Sequence, residues 1–196
     1  MDPTHDASAE ALQLALSQTA AGVGLSYVAE HFRGEIRAFL QAHGPVALTR
    51  ACEPGHLTAS CLLWDDARER ILLHHHRKLD LWLQFGGHCD GDGDVRRVAQ
   101  RETREESGIE PRWMSASPVD YDVHSIPARP AKGARPPEPE HLHLDVRFTA
   151  VAPPGAMERL SHESLALAWL LPEEARARGL DGSLLRIIDL GPPETD

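Results

Sequence analysis

Gly86-Gly87-His88-Cys89-Asp90-Gly91-Asp92-Gly93-Asp94-Val95-Arg96-Arg97-Val98-Ala99-Gln100-Arg101-Glu102-Thr103-Arg104-Glu105-Glu106-Ser107-Gly108-Ile109 is the stretch that decides how the rest of the chain is read. A Gly/Asp-rich turn that should follow a strand passes into a helix of about three to four turns from Asp94 to Ser107, with Asp92 or Asp94 as its N-cap and Gly108 as its stop. At about 100° per residue, Val95, Val98 and Ala99 share one face, and Glu102, Glu105 and Glu106 continue that stripe. Arg96, Arg97, Gln100, Arg101, Thr103 and Arg104 fall on the other side. A helix that is only solvated turns its carboxylates outward, whereas these lie on the inward stripe. Like charges at i, i+3 and i+4 repel by a few tenths of a kcal/mol per pair at a surface, and by more when partly buried. Such a cluster calls for a cation, and hard carboxylate oxygens beside the carbonyls of a Gly-rich turn suit Mg²⁺ or Mn²⁺. The competing reading is a salt-bridged surface helix; the flanking glycines argue against it. An EF-hand loop beginning at Asp90 fails, because Val95 stands where the loop needs Gly and Arg101 where it needs Glu.

Working outward, Leu57 to Trp64 reads as a mostly buried strand, with the turn Asp65-Asp66 after it, and Arg70 to His75 as a second. Leu81 to Phe85 reads as a third, delivering the chain into Gly86-Gly87. Between the last two lies His74-His75-His76-Arg77-Lys78, either a solvated turn or a place where Arg77 or Lys78 pairs with a substrate phosphate. Beyond the helix, Val119–Ile126 and His141–Val151 read as paired strands joined by residues 127–139. That loop holds five prolines and the cations Arg129, Lys132 and Arg135. The second of these strands alternates throughout: His141, His143, Asp145 and Arg147 on one face, Leu142, Leu144, Val146 and Phe148 on the other. Its polar face meets either solvent or a cleft, and His141-x-His143-x-Asp145 is chemically suited to zinc.

The formal charge is -10 over 196 residues. That argues against a nucleic-acid polymer or an anionic membrane as partner, but not against a small nucleotide arriving with its own metal. Cys52, Cys61 and Cys89 form neither a disulfide framework nor a zinc cage. The first six residues lack the basic and apolar regions of a signal peptide, no apolar run reaches membrane-spanning length, and the expected location is the cytoplasm. Residues 7–43 read as helices interrupted near Gly22, Gly24 and Gly34. Leu25, Val28, Phe32, Ile36 and Phe39 recur at helical spacing, forming a homodimer interface, a lid, or a cap that completes the core.

Gly87 followed by Arg101-Glu102-Thr103-Arg104-Glu105-Glu106-Ser107-Gly108-Ile109 resembles the signature box of the Nudix hydrolases: Gly, five residues, Glu, seven residues, Arg-Glu-apolar-x-Glu-Glu-x-Gly-apolar. Gly93 stands where the pattern has its first Glu, and Thr103 occupies the apolar slot. Gly55–Ser60, Trp82-Leu83-Gln84, Gly86-Gly87-His88, Val123–Pro127 and His141-x-His143-x-Asp145 are similar to a subset of that family, and Ala168–Glu174 looks like its usual strand leading into a C-terminal helix, with a last helix from about Gly182 to Leu190. The resemblance implies an α/β/α sandwich around a mixed sheet, with residues 1–48 as an N-terminal helical extension and 49–196 as the hydrolase domain. It further implies metal-dependent hydrolysis of a diphosphate bond in a nucleoside-diphosphate-linked small molecule. Glu102, Glu105 and Glu106, with the Gly87 carbonyl, would hold Mg²⁺ or Mn²⁺, and Glu105 or Glu163 would be the general base. Arg77, Lys78, His88, His141, His143 and Asp145 would face substrate. In the family the carboxylate missing at Gly93 lies near the box arginine and the metal, and Asp92 or Asp94 is expected to swing into its place. A fold-sharing binding domain without activity, motivated by Gly93, and a His-rich zinc-binding protein are the alternatives.

Overall fold

The computed structural model describes residues 8–20, 24–131, 133 and 136–194; Met1–Asp6, Gly22, Lys132, Arg135 and the last two residues of the tail lie outside them. The spine of the molecule is β1 (Gly55–Trp64), buried at every position, as an apolar run bounded by turns requires. It pairs in parallel with β7 (His141–Val151) along its whole length, from Gly55↔Leu142 to Trp64↔Val151. On its other edge β1 changes neighbours: Thr58–Cys61 pair with β4 (Phe85–His88), and Leu63–Trp64 with β2 (Ile71–His76). The strands β3 (Leu81–Leu83) and β8 (Ser164–Leu170) extend the sheet from β2, while β5 (Trp113–Met114) and β6 (Asp120–Ile126) pair with β7. Every pairing except β1 with β7 is antiparallel, so the sheet is mixed, as expected.

One face of β1 and β7, with Leu57, Ala59, Cys61, Leu144, Val146 and Phe148, joins a core shared with α1 (Ala9–Gln18), α2 (Tyr27–His43) and α3 (Val95–Ser107). On the opposite face, Leu62, Trp64, Ile71 and Leu73 pack against α4 (Pro172–Arg176) and α5 (Gly182–Asp189). The result is the α/β/α sandwich. Ala15, Ala29, Ile36 and Leu40 belong to the main core, so α1 and α2 act as a cap that completes it. Gly34 continues α2 without a break.

Two local expectations change. Gly86 and Gly87 are strand residues of β4, not a turn. Glycine is needed at 86 because a Cβ there would lie 2.5 Å from the Ser60 Cβ and 2.9 Å from the Ala59 carbonyl oxygen. The polar face of β7 does not meet solvent at its centre: Arg147 and Asp145 are 2 % and 5 % exposed. The Arg147 guanidinium donates to Asp145 (2.9 Å), the Ser183 carbonyl (3.1 Å) and Ser183 Oγ (3.0 Å), and it lies 3.2 Å from Asp122. Arg186 of α5 donates to both oxygens of Asp120, and the two arginines pin α5 onto the sheet through three aspartates. Buried charges persist only when paired and hydrogen-bonded in this way. Among the described residues no helix is long and apolar enough to cross a membrane.

Candidate active site

The change of neighbour along β1 leaves a split between β2 and β4, and α3 places its carboxylates there. Asp94 caps the helix by accepting from the Arg97 amide at 3.0 Å, and Gly108, at φ 76°, ends it in the left-handed region. Glu106 is 6 % exposed and accepts from the Gly86 amide at 3.0 Å; its other oxygen lies 3.8 Å from His74 Nδ1. One turn earlier, the Glu102 carboxylate lies against Gly87 so closely that a Cβ at 87 would sit 2.6 Å from its carboxyl carbon. Arg101 donates to Glu102 at 2.7 Å and to the His88 carbonyl at 3.0 Å.

The inward stripe is rotated from its sequence reading. Thr103, assigned to the outer side, is fully buried and donates to the Ala99 carbonyl, while Glu105 is mostly exposed. Thr103 lies about 40° from Ala99 and Glu105 about 60° from Glu102, so the packing axis runs between Ala99, Glu102 and Glu106. Thr103 thus does the job of the apolar residue by satisfying its own hydroxyl within the helix.

Burial pushes the Glu106 carboxyl up to about 8, with repulsion from Glu102, Glu163 and Glu105 added and the Gly86 amide opposing. Glu102 is also raised, by burial first; Arg101 opposes, and Glu105 and Glu163 add to the rise. Glu163, the residue immediately before β8, is therefore within electrostatic reach of both Glu102 and Glu106. A nest of carboxylates with a glycine cradle fits a hard divalent cation. His74, grouped in the sequence with a solvated turn, is buried instead: alternation on β2 turns it inward, where it meets Ser164 Oγ at 2.9 Å and approaches Glu106.

The remaining candidates divide. Lys78 is exposed in the turn after β2. Arg77 is occupied, donating to the carbonyls of His162 (3.0 Å) and Ser164 (2.9 Å). Both Asp145 oxygens accept hydrogen bonds, from Thr58 (3.0 Å), Ser60 (2.7 Å) and Arg147 (2.9 Å), so it braces the sheet. Asp92 and Asp94 do not swing toward Glu102. Asp92 is held by Arg97 and Asp94 by its capping bond and Gln18. Gly93 lies beneath α1, where a Cβ would come 1.9 Å from the Ala11 carbonyl oxygen.

His88 and His143 join a cluster that sequence reading did not assemble. His56 of β1 sits opposite His143 of β7, and β4 brings His88 alongside from the other edge. Ring centroids are 4.9 Å apart for His56 and His88, 5.1 Å for His56 and His143, and 4.9 Å for His88 and His143. His141 stacks on His56 at 4.9 Å and donates Nδ1–H to the Pro139 carbonyl. Burial first, then neighbouring positive charge, lowers His56 to about 4, His88 to about 3 and His143 to about 2, so all three rings are neutral at ordinary pH. Since side chains alternate along β4, this cluster lies on the strand face away from Glu102.

Glu106 gives a pH prediction for the metal-free protein. Its folded pKa of about 8 exceeds the reference value of 4.5, so the folded state holds the extra proton between those values. The stabilisation is complete below about pH 4.5 and drains away as pH rises toward 8, by at most about 5 kcal/mol at about 1.4 kcal/mol per pH unit. In chelator, wild type should lose more melting temperature across this window than Glu106→Gln, and parallel curves for the two would show that Glu106 is ionised throughout.

A family model described as NUDIX domain matches residues 54–189. No curated protein is similar enough to match. Among solved structures, the NUDIX domain of Shewanella oneidensis NrtR complexed with ADP ribose is 18% identical with a TM-score of 0.52, over 78% of this chain and 94% of that one. The E. coli dihydroneopterin triphosphate pyrophosphohydrolase is 17% identical with a TM-score of 0.51, over 68% and 92%. At these identities the likeness is one of fold.

Proposed function

On the premise that the chain belongs to the NUDIX family, shown by the match over residues 54–189, we propose that it is a metal-dependent pyrophosphohydrolase cleaving a diphosphate bond in a nucleoside-diphosphate-linked small molecule. The observation that carries this reading is the convergence of buried Glu106, half-buried Glu102 and Glu163 at the split beside Gly86 and Gly87. Of the structures named above, one holds ADP ribose, a compound of this class, and the other is named for pyrophosphohydrolysis.

Glu102 and Glu106, with Glu105 beside them and the Gly87 carbonyl, would hold Mg²⁺ or Mn²⁺. Such an ion, when bound, polarises the diphosphate and lowers the pKa of an attacking water. The chain's own residues do the rest. Arg101 holds Glu102 in place and ties α3 to β4 through the His88 carbonyl. The Gly86 amide orients Glu106. Glu105 or Glu163 takes the proton of the attacking water, both being exposed enough to pass it to solvent. Lys78, exposed in the turn after β2, is a cation available to a phosphate group. Arg77 supports β8 and reaches a phosphate only through a donor not already used, while His88 of β4 and His141 and His143 of β7 line the other face of the sheet. Asp145 acts behind them by anchoring Arg147.

A panel of nucleotide diphosphate compounds tests this reading. Phosphate or nucleoside monophosphate should be released with Mg²⁺ or Mn²⁺ and not in chelator. Silence across the panel would favour the binding-domain alternative. Within an active system, Glu105→Gln and Glu163→Gln separate the base from its neighbour: the base variant loses the acidic limb of the rate profile and the other keeps it.

A further inference from the structure

We propose that His56, His88 and His143 form a second metal site, for a transition-metal ion of the Zn²⁺ class, distinct from the carboxylate nest on α3. One ligand nitrogen from each ring lies within 4.8 Å of the others. A tetrahedral ion with bonds of about 2.0–2.1 Å needs nitrogens roughly 3.3–3.4 Å apart. Side-chain rotation closes that difference without moving a strand. Three rings on three adjacent strands form a rigid frame, with β1 between β4 and β7.

The independent sign of a missing ligand is His56. It is 4 % exposed, and both ring nitrogens are buried without a hydrogen-bonded partner. The Cys52 backbone is close enough to be felt by the ring but does not reach hydrogen-bonding geometry. Leaving a buried imidazole unsatisfied costs about 1–3 kcal/mol. An ion on one nitrogen, with the other turned to the Cys52 carbonyl, satisfies both in the pattern common to metal-bound histidine. His141 packs flat on His56 and restricts its ring, as an outer-shell residue would. Nitrogen donors favour zinc, copper, nickel or cobalt over Mg²⁺, which prefers oxygen.

The charges around the cluster permit a cation. Arg50 faces His56 and His88, but it is paired with Asp90 at 3.0 Å. His124, beside His143, is held by Asp122 at 3.0 Å. His88 and His143 are only partly buried, leaving an entry path and an open coordination position for water or an anionic oxygen. Two sites of different hardness thus sit back to back on β4, with Gly87 against Glu102 and His88 in the imidazole cluster.

The test strips the full chain of metal, then titrates it with Zn²⁺ against a chromophoric chelator and with Co²⁺ read by visible absorption. One Zn²⁺ per chain should bind, should survive excess Mg²⁺, and should persist in the Glu102→Gln/Glu106→Gln double variant. The Co²⁺ spectrum should show the bands of a low-coordinate nitrogen site. His88→Ala and His143→Ala should each weaken Zn²⁺ binding about tenfold or more. Zn²⁺ lost from the glutamate variant but kept by the histidine variants, or no tight Zn²⁺ in wild type, overturns the proposal. If a histidine variant fails to fold by circular dichroism, the wild-type Co²⁺ spectrum and Mg²⁺ competition decide the matter.

Discussion

Glu106→Gln and Glu102→Gln each lose about 100-fold or more in turnover at saturating Mg²⁺, while the metal-free variants melt no lower than wild type. The two effects have one origin. Each glutamate is a proposed ion ligand, and losing several kcal/mol of charge stabilisation in the transition state converts to rate at about 1.4 kcal/mol per tenfold. In the free protein the same carboxylates are a burden, since burial and mutual repulsion raise both of them. The amide is nearly the same shape and its oxygen still accepts from Gly86, so the fold loses only a repulsion. The loss should appear in kcat with a raised Mg²⁺ requirement, and excess metal should partly restore Glu102→Gln, whose side chain is less buried. Near wild-type rates in both variants would remove the carboxylates from the mechanism, whatever their geometry.

What the sequence disclosed and withheld follows from the range of each interaction. Glu102 and Glu106 lie one turn apart on one helix, so their inward stripe is a local property, although packing and not sequence turned Thr103 in and Glu105 out, and β7 announces its two faces by alternation from His141 to Phe148. The imidazole cluster is different: His56, His88 and His143 are separated by tens of residues, and only the β1–β4 and β1–β7 registers bring them together. Asp145 looked like a partner of His143 because the two share a face. That face also carries Arg147 two residues further on, and the β1 register adds Thr58 and Ser60, so these donors took the carboxylate. Gly86 was read as a turn because glycine usually marks one; here it marks close approach of two strands. In each case local pattern named the face, and tertiary register decided what the face meets.

Gly93→Glu, the substitution that brings the box closest to its family pattern, should destabilise the protein by about 3 kcal/mol or more and should not raise its rate. The reason lies in α1. A Cβ at 93 would lie 1.9 Å from the Ala11 carbonyl oxygen and 2.5 Å from its carbon, and these are backbone atoms that no rotamer change can move aside. Overpacking alone costs about 1–3 kcal/mol, and a carboxylate pressed on a carbonyl oxygen adds repulsion without a donor to relieve it. α1 cannot yield cheaply: Ala15 is fully buried, Gln18 donates to Asp94 at 2.9 Å, and the Gln18 side chain also meets the Arg96 amide. Nor is the missing carboxylate unreplaced around Arg101, which already holds Glu102 and the His88 carbonyl. Glycine at this position is therefore the counterpart of α1, and the extension and the departure from the pattern belong together. Gly93→Ala separates packing from charge. It should accelerate amide exchange along α1 while α3 stays protected, with Mg²⁺ dependence little changed. A Gly93→Glu protein as stable as wild type, with faster turnover or tighter Mg²⁺ binding, would show instead that α1 is loosely seated and that the site lacks a carboxylate.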